Sequence, residues 1–533
     1  MRIPLTLFAV CAVAIVAVWW WLGLAVQMPP SPLALGEKLN CVSYAPFRHS
    51  QNPFDPSTHI AAAQIDEDLT RLAAMTGCVR TYSTDFGLEQ VPEIAGRHGL
   101  KVIQGLWLST ETDKNRVQVE TAIDLAKRYP DVITAIVVGN EVLLRGEMSP
   151  ADLVNTIRLV KSRVTVPVTY ADVWEFWLRH REVYEAVDLV TIHILPYWED
   201  FPIPAAQAAA HVESIRKRMA AAFPNKEILI GETGWPSAGR MREGASPSPV
   251  NQAYVLHEVL AAAKRENYRV NLIEAFDQPW KRQLEGTVGG HWGLFDAESR
   301  EPKFAWGQGV SNHPFAPWQA LAGVALAGLT FGAAVVVRRR QGMDARLARW
   351  LAAGTVALTA GLFIGWTAEK AVIESLGFAG TLRSLTLLAV AIAAPLLAAA
   401  ALASDTAVAS FAQVLARAAD RPRNPVGLAL GGILILTALV ALEVALGLVF
   451  DPRYRDFPFT ALTAAALPYL LLGFMTERRG RRGVAETVMA AALGASAAYV
   501  AVNESVSNWQ ALWFAAALVA LAVSLLRLRA APD

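Results

Sequence analysis

Residues 316–533 break into seven apolar stretches, at 317–337, 350–367, 384–403, 426–450, 458–475, 484–502 and 510–526, with charges gathered between them. Stretches of roughly 20 apolar residues match the hydrocarbon thickness of a bilayer, where only helices satisfy every backbone group within one segment. Leu5–Gln27 is an eighth, without a charge, and Met28-Pro29-Pro30-Ser31-Pro32 follows it as a stiff linker rather than a cleavage site. It reads as an uncleaved anchor. With Met1 inside, the inner segments hold Arg2, Arg338–Arg340, Arg346, Arg349, Arg417, Arg421, Arg423, Arg478, Arg479, Arg481, Arg482, Arg527 and Arg529, against Lys370, Arg383, Arg453 and Arg455 on the short outer loops. That alternation follows the positive-inside rule and predicts eight spans with both ends cytoplasmic. Three domains result: an anchor (1–27), an outer domain (28–315) and a membrane domain (316–533). The formal net charge of +1 argues against nucleic acid as a partner.

The outer domain alternates short β-rich runs with amphipathic helical ones. Eight strands are expected, at 39–44, 79–83, 101–108, 133–140, 166–172, 189–195, 227–231 and 270–276. Eight β/α units predict a TIM barrel, an α/β fold joined here to an all-α membrane domain. A doubly wound open sheet is the alternative, but "CVSYAPF" after the first strand lacks a glycine-rich turn. Cys41 and Cys78 start neighbouring strands; a bridge is sterically conceivable, and two buried thiols are the expectation for a domain this large.

A barrel puts its chemistry just after its strands. There the sequence offers Tyr44; Arg80 and Tyr82; Trp107; Asn140-Glu141; Asp172 and Trp174; His193 through Tyr197; Glu232 and Trp235; and Asp277, Trp280 and Lys281. Glu141 and Glu232 end strands four and seven, so both project into one cleft. Two carboxyls across an aromatic cleft suit glycoside hydrolysis, one protonating the leaving oxygen and the other attacking C1. Aromatic faces stack on sugar rings, which gives the Trp and Tyr residues a substrate-binding reading. The ionised Glu232 should raise the Glu141 pKa.

"VVGNE" and "ILIGETGWPS", with "VRTYST" and "HWGLFD" (291–296), resemble glycoside hydrolase family 17, the β-1,3-glucanases and glucanosyltransferases of a large retaining TIM-barrel clan. The resemblance implies Glu141 as acid/base, Glu232 as nucleophile, Asn140 on the sugar 2-hydroxyl and Tyr197 holding Glu232. The membrane spans resemble bacterial members linked to β-1,3/β-1,6-glucan synthesis. It also implies a β-glucan donor and acceptor and a glucan synthase in the same inner membrane as a partner; the expected reaction needs no cofactor or metal, and no His/Cys cluster suggests one. Only 91 residues separate the two glutamates, which implies fewer subsites than in plant members. Plain β-1,3-glucan hydrolysis is the enzymatic alternative. A glucan transporter with a sugar-binding outer domain is the alternative of another class, for which Glu443 inside a span is the candidate group. Asp66-Glu67-Asp68 is the sole Asp-x-Asp candidate for a sugar-nucleotide synthase, and it falls on an amphipathic helix.

The topology makes a test. Cysteines introduced as Asn312→Cys and Gly480→Cys should label oppositely with an impermeant reagent in intact cells; equal labelling would remove the eight-span arrangement.

Overall fold

The computed structural model describes residues 2–48, 50–341, 347–475 and 483–527. It divides into two compact units, one of Val26–Ala238 and Gly244–Val310 and one of Met1–Ala25, Gly239–Glu243 and Ser311–Asp533.

The first unit is a closed eight-stranded parallel barrel. Its strands are β1 (Cys41–Ser43), β2 (Cys78–Arg80), β3 (Lys101–Leu106), β4 (Ile133–Asn140), β5 (Val168–Val173), β6 (Val190–His193), β7 (Ile228–Thr233) and β8 (Val270–Leu272). Each pairs with the next, and β8 returns to β1 through Cys41 opposite Asn271. The strands are nearly all buried on both faces, as the continuous apolar runs require. Helices such as Ala62–Ala73 and Pro249–Arg265 lay an apolar stripe on the outside of the barrel. Ser248 starts the latter by accepting the amide of Asn251, with Pro249 in its first turn. Inside the barrel, Ile103, Ala135, Val137, Ala171, Leu189 and Leu229 form a small separate core with Cys41 and Cys78.

Cys41 and Cys78 are joined as a disulfide. The expectation of two thiols is therefore corrected: β1 and β2 are direct neighbours whose first residues bring the two Cα atoms to 4.4 Å. The Asp-x-Asp candidate dissolves into surface and packing chemistry. Asp68 is buried and accepts the Tyr44 hydroxyl and Arg48, Glu67 pairs with Arg48, and Asp66 meets His98.

The second unit is helical. Among the described residues, seven helices are long and apolar enough to cross a membrane: Arg2–Leu22, Ala316–Gln341, Leu347–Glu374, Gly377–Ser404, Pro425–Phe450, Val484–Asn503 and Trp509–Arg527. The stretch expected at 458–475 forms a shorter helix, Phe459–Met475. Arg346, Arg478, Arg479, Arg481, Arg482, Arg529 and position 480 lie outside the described residues. Gly323 and Gly361 let two helices touch, since a Cβ on Gly323 would fall 2.2 Å from the Gly361 carbonyl oxygen. Glu443 is half exposed and lies 3.4 Å from Arg383. Arg240 and Glu504, both buried, form an ion pair within this unit.

Closing a loop of 37 residues by a disulfide stabilises a fold by about 4 kcal/mol in the chain-entropy picture. Cys41→Ser together with Cys78→Ser should lower barrel stability by that order, read as faster hydrogen exchange in β1 and β2. Unchanged exchange would show that the bridge adds nothing.

Candidate active site

β4 ends in Gly139-Asn140-Glu141, and its backbone turns there. Gly139 has φ 85° and Glu141 φ 53°, a left-handed conformation that costs a glutamate about 1 kcal/mol. The turn is held by the Glu141 amide, which donates to the Ala171 carbonyl at 2.8 Å. It leaves the Glu141 side chain a quarter exposed at the barrel mouth. Across from it, β7 carries Glu232, which is 4% exposed. One carboxylate oxygen of each residue lies within 4.8 Å of the other, and a ring nitrogen of His193 lies within the same span of both.

The surroundings of Glu232 are built for an anion. Arg80 from β2, 1% exposed, donates through Nη1 to Glu232 Oε1 at 3.0 Å and to the Gly231 carbonyl at 2.8 Å. Its Nη2 reaches Asn140 Oδ1 at 2.5 Å. The Tyr82 hydroxyl donates to Glu232 Oε1 at 2.8 Å and lies 2.8 Å from Ser43 Oγ. Burial and the Glu232 charge hold the Tyr82 phenol well above its usual range, so it stays a donor.

Glu141 is set differently. His193 Nδ1 lies 2.7 Å from Glu141 Oε1, while Nε2 of the same ring lies 3.5 Å from Glu232 Oε1. Burial pushes the Glu141 carboxyl up, but the His193 ring and the guanidinium groups of Arg145 and Arg80 outweigh it. The net direction is below the usual carboxylate range. This corrects the expected rise from Glu232: Arg80 counters that charge, and His193 stands between the two carboxylates.

The remaining candidates separate into those at the mouth and those behind it. Arg80 is sealed beneath the carboxylates and cannot meet a sugar. Asn140 spends its amide oxygen on Arg80, which turns its amide nitrogen into the group that can meet a hydroxyl. Tyr44 is buried with its hydroxyl on Asp68. Asp172 is fully buried, accepting the Tyr170 hydroxyl and the Val173 amide. Trp174 packs under Arg218 and donates to Glu199. Trp235 is sealed, its indole N–H on the Ser246 carbonyl. Tyr44, Trp174 and Trp235 belong to packing rather than to substrate contact, because each turns toward the helix layer or its own loop, whereas Asp172 is sealed beneath the Glu141 turn, where it also meets the Leu144 amide. Tyr197 is also fully buried, among Trp198, Trp235 and Trp292, and Tyr82 is a phenol that holds Glu232 from the β2 side.

Two aromatic groups remain open. Trp107, 37% exposed, has the Arg145 guanidinium 4.3 Å over its ring. Trp280 is half-buried and meets Phe47 and the exposed Phe54 edge to face. Beside it Lys281 pairs with Glu274 at 2.8 Å, and burial raises the Glu274 carboxyl to about 7. The sequence assigns no role to His193 or Glu274. Beyond the strand-end position of His193 nothing local marks them, because their partners lie 52 and 7 residues away and become neighbours through the barrel.

The donors of Glu141, His193 and Glu232 are close enough together for a divalent ion. Arg80 Nη1 lies 3.0 Å from Glu232 Oε1 and 3.5 Å from His193 Nε2. A fixed cation thus already serves this site, and the residues do not fit a metal.

Residues 41–293 match the family model described as the BtgE/BtgC glycoside hydrolase domain. The chain is 28% identical over 259 residues to a glucan 1,3-beta-glucosidase of Arthroderma benhamiae, covering 45% of this chain and 83% of that protein. It is 31% identical over 225 residues to a probable beta-glucosidase btgE of Aspergillus fumigatus, covering 41% of this chain and 39% of the relative's length. Among solved structures, a glycoside hydrolase family 17 beta-1,3-glucanosyltransferase from Rhizomucor miehei aligns with TM-score 0.45 and 25% identity, over 50% of this chain and 96% of that one.

Asp172 gives a pH test. Burial raises its carboxyl to about 6, partly offset by Tyr170. A carboxyl raised on folding stabilises fully below its unfolded value, near pH 4, and that contribution is lost as pH rises through 6. Asp172→Asn cannot titrate. Relative to the unaltered chain it should gain about 3 kcal/mol between pH 4 and 7, read by hydrogen exchange in β5. A pH-independent difference would contradict the raised carboxyl.

Proposed function

We propose that this chain is a retaining β-glucan-active transglycosylase, acting by double displacement with Glu232 as nucleophile and Glu141 as acid/base. The observation that carries it is the approach of one oxygen of each carboxylate to within 4.8 Å of the other. Retaining pairs stand about 5–5.5 Å apart, whereas inverting pairs leave room for a water at about 6.5–9.5 Å. Arg80 and Tyr82 support Glu232 as the ionised partner, since both donate to the oxygen that would attack. Glu141, more exposed, is the one that solvent and an acceptor hydroxyl can reach.

The substrate reading, a β-1,3-glucan, rests on the names of the curated relatives and on the open aromatic rings of Trp107 and Trp280. Tyr82, Asn140 and Lys281 complete the substrate-facing set. Candidate spans in the same chain support action at a membrane, on a glucan made there, by a bacterial inner-membrane protein with its barrel in the periplasm. The Cys41–Cys78 bridge supports the same placement, because disulfides persist in oxidising compartments. A glucan synthase in that membrane is the proposed partner. Hydrolysis is the second reading, favoured by relatives named as glucosidases. β-1,3-Gluco-oligosaccharides given to the full chain should yield products longer than the donor. Glucose and shortened donor alone would make it a hydrolase.

The roles have their own test. Glu232→Gln should abolish turnover of every donor. Glu141→Gln should still react with β-glucosyl fluoride, whose leaving group needs no proton, and stall at the covalent intermediate. Azide should then release a β-glycosyl azide from Glu141→Gln and an α-glycosyl azide from Glu232→Ala. Swapped configurations would reverse the two roles, and unaffected activity in both variants would remove the glycosidase reading.

A further inference from the structure

The main chain at Glu141 has φ 53°, two residues after Gly139 at φ 85°. Strained residues of this kind persist only where the surroundings fix them from several sides. The neighbouring strand does the fixing. β4 pairs with β5 through Val137 opposite Thr169 and then Asn140 opposite Ala171, so β4 carries one extra residue between the two pairs. Such a bulge re-aims the side chains beside it. Beyond it, three consecutive residues of β5 each take one amide of the turn. The Ala171 carbonyl accepts the Glu141 amide at 2.8 Å, the Tyr170 hydroxyl accepts the Leu143 amide at 2.9 Å, and Asp172 Oδ2 accepts the Leu144 amide at 3.4 Å. The strand's period of two makes a pair of Tyr170 and Asp172. Ala171 between them joins the core inside the barrel, so both fall on the other side of β5. There the Tyr170 hydroxyl donates to the same Asp172 oxygen that takes the Leu144 amide, and the other oxygen accepts the Val173 amide at 2.8 Å. Burial and the Asp172 charge hold the Tyr170 phenol well above its usual range, so it keeps its proton. Both side chains are sealed from solvent and neither can touch a substrate.

We propose that Tyr170 and Asp172 are positioning residues for Glu141, a clamp on the turn after β4 that aims its carboxyl at the leaving oxygen. This rests on the acid/base role proposed for Glu141. His193 meets the carboxylate end from β6 at 2.7 Å, and the clamp decides where the main chain delivers it. Without the hydroxyl, the Leu143 amide and Asp172 each lose a partner, and the turn can relax toward an ordinary negative φ at Glu141. Relaxation swings the Cα–Cβ bond of Glu141 and carries its carboxyl out of line. A misplacement of about 1 Å costs on the order of 100-fold in rate where reacting groups must be aligned. Glu232 is held separately, by Arg80 and Tyr82 from β2. Attack on C1 is therefore spared, and the step that needs a proton suffers.

Proton delivery can be separated from the rest of catalysis by the choice of donor. Tyr170→Phe should lose about 100-fold in kcat/KM on β-1,3-gluco-oligosaccharides. Its first-turnover release of fluoride from β-glucosyl fluoride, which needs no acid, should stay within about threefold, and that also reports that the variant folds. Asp172→Asn keeps the shape of the side chain but offers one oxygen where the carboxylate offers two. It should show the same split at about tenfold, the worth of one hydrogen bond. Across aryl β-glucosides of rising leaving-group pKa, first-turnover rates of both variants should fall more steeply than those of the unaltered chain, toward the slope of Glu141→Gln. An equal loss on both donors in either variant, or an unchanged leaving-group slope, would overturn the proposal, since the clamp needs both groups. The parent reading is judged apart from this. A Glu141→Gln chain with Tyr170 and Asp172 intact that kept the unaltered slope would remove the acid/base role itself.

Discussion

A single buried guanidinium sets the terms of this site. Arg80 reaches from β2 beneath the barrel mouth and ties together groups from β4 and β7 that the sequence keeps 60 and more residues away. Burying an ion is costly unless it is paired and hydrogen-bonded, and Arg80 meets a carboxylate, a backbone carbonyl and an amide oxygen at once. One cation therefore holds Glu232 and Asn140, the residue before Glu141, in a fixed relation. The stacked Tyr82 ring, 4.7 Å from the guanidinium, and the His193 ring both take their places from it. Removing the charge would strip the buried Glu232 of its nearest counter-ion, so the arrangement depends heavily on it.

How much of this was legible in the sequence depends on which rule applies. Alternating β and α periodicities marked all eight strands, because buried parallel strands read as short apolar runs whatever their neighbours. Glu141 and Glu232 were legible because a carboxylate at the end of such a run is costly unless it is paired or has a task. Trp174, Trp235, Tyr44 and Asp172 were legible only in part. A position after a strand says that a residue reaches the level of the mouth, not whether its side chain turns toward the axis or toward the helix layer. His193 stood out only by its place at the end of a strand, with nothing to give it a role. Its meaning comes from strands that meet only when the barrel closes, and so does the Cys41–Cys78 bridge, whose two ends are 37 residues apart.

The helical unit shows the complementary case. Its apolar lengths are plain in the sequence, while its packing is not. Gly323 and Gly361 look like ordinary small residues in an apolar run, yet they set how closely two helices approach. Glu443, conspicuous in the sequence as a carboxylate in an apolar run, is half exposed beside Arg383. Length and hydropathy describe a helix against its solvent; only side-chain size at particular turns describes it against its neighbours.

Trp107 carries a consequence of a different kind. The guanidinium of Arg145 lies over one face of its indole and draws the π-electron density toward itself. The opposite face is left electron-poor, which bears on the substrate role proposed for this ring. An aromatic platform polarised from behind grips a saccharide less firmly than a bare one. In that proposed role the platform would favour rapid exchange of one chain for another over long residence, with the Arg145 charge, rather than the area of the indole, setting the balance.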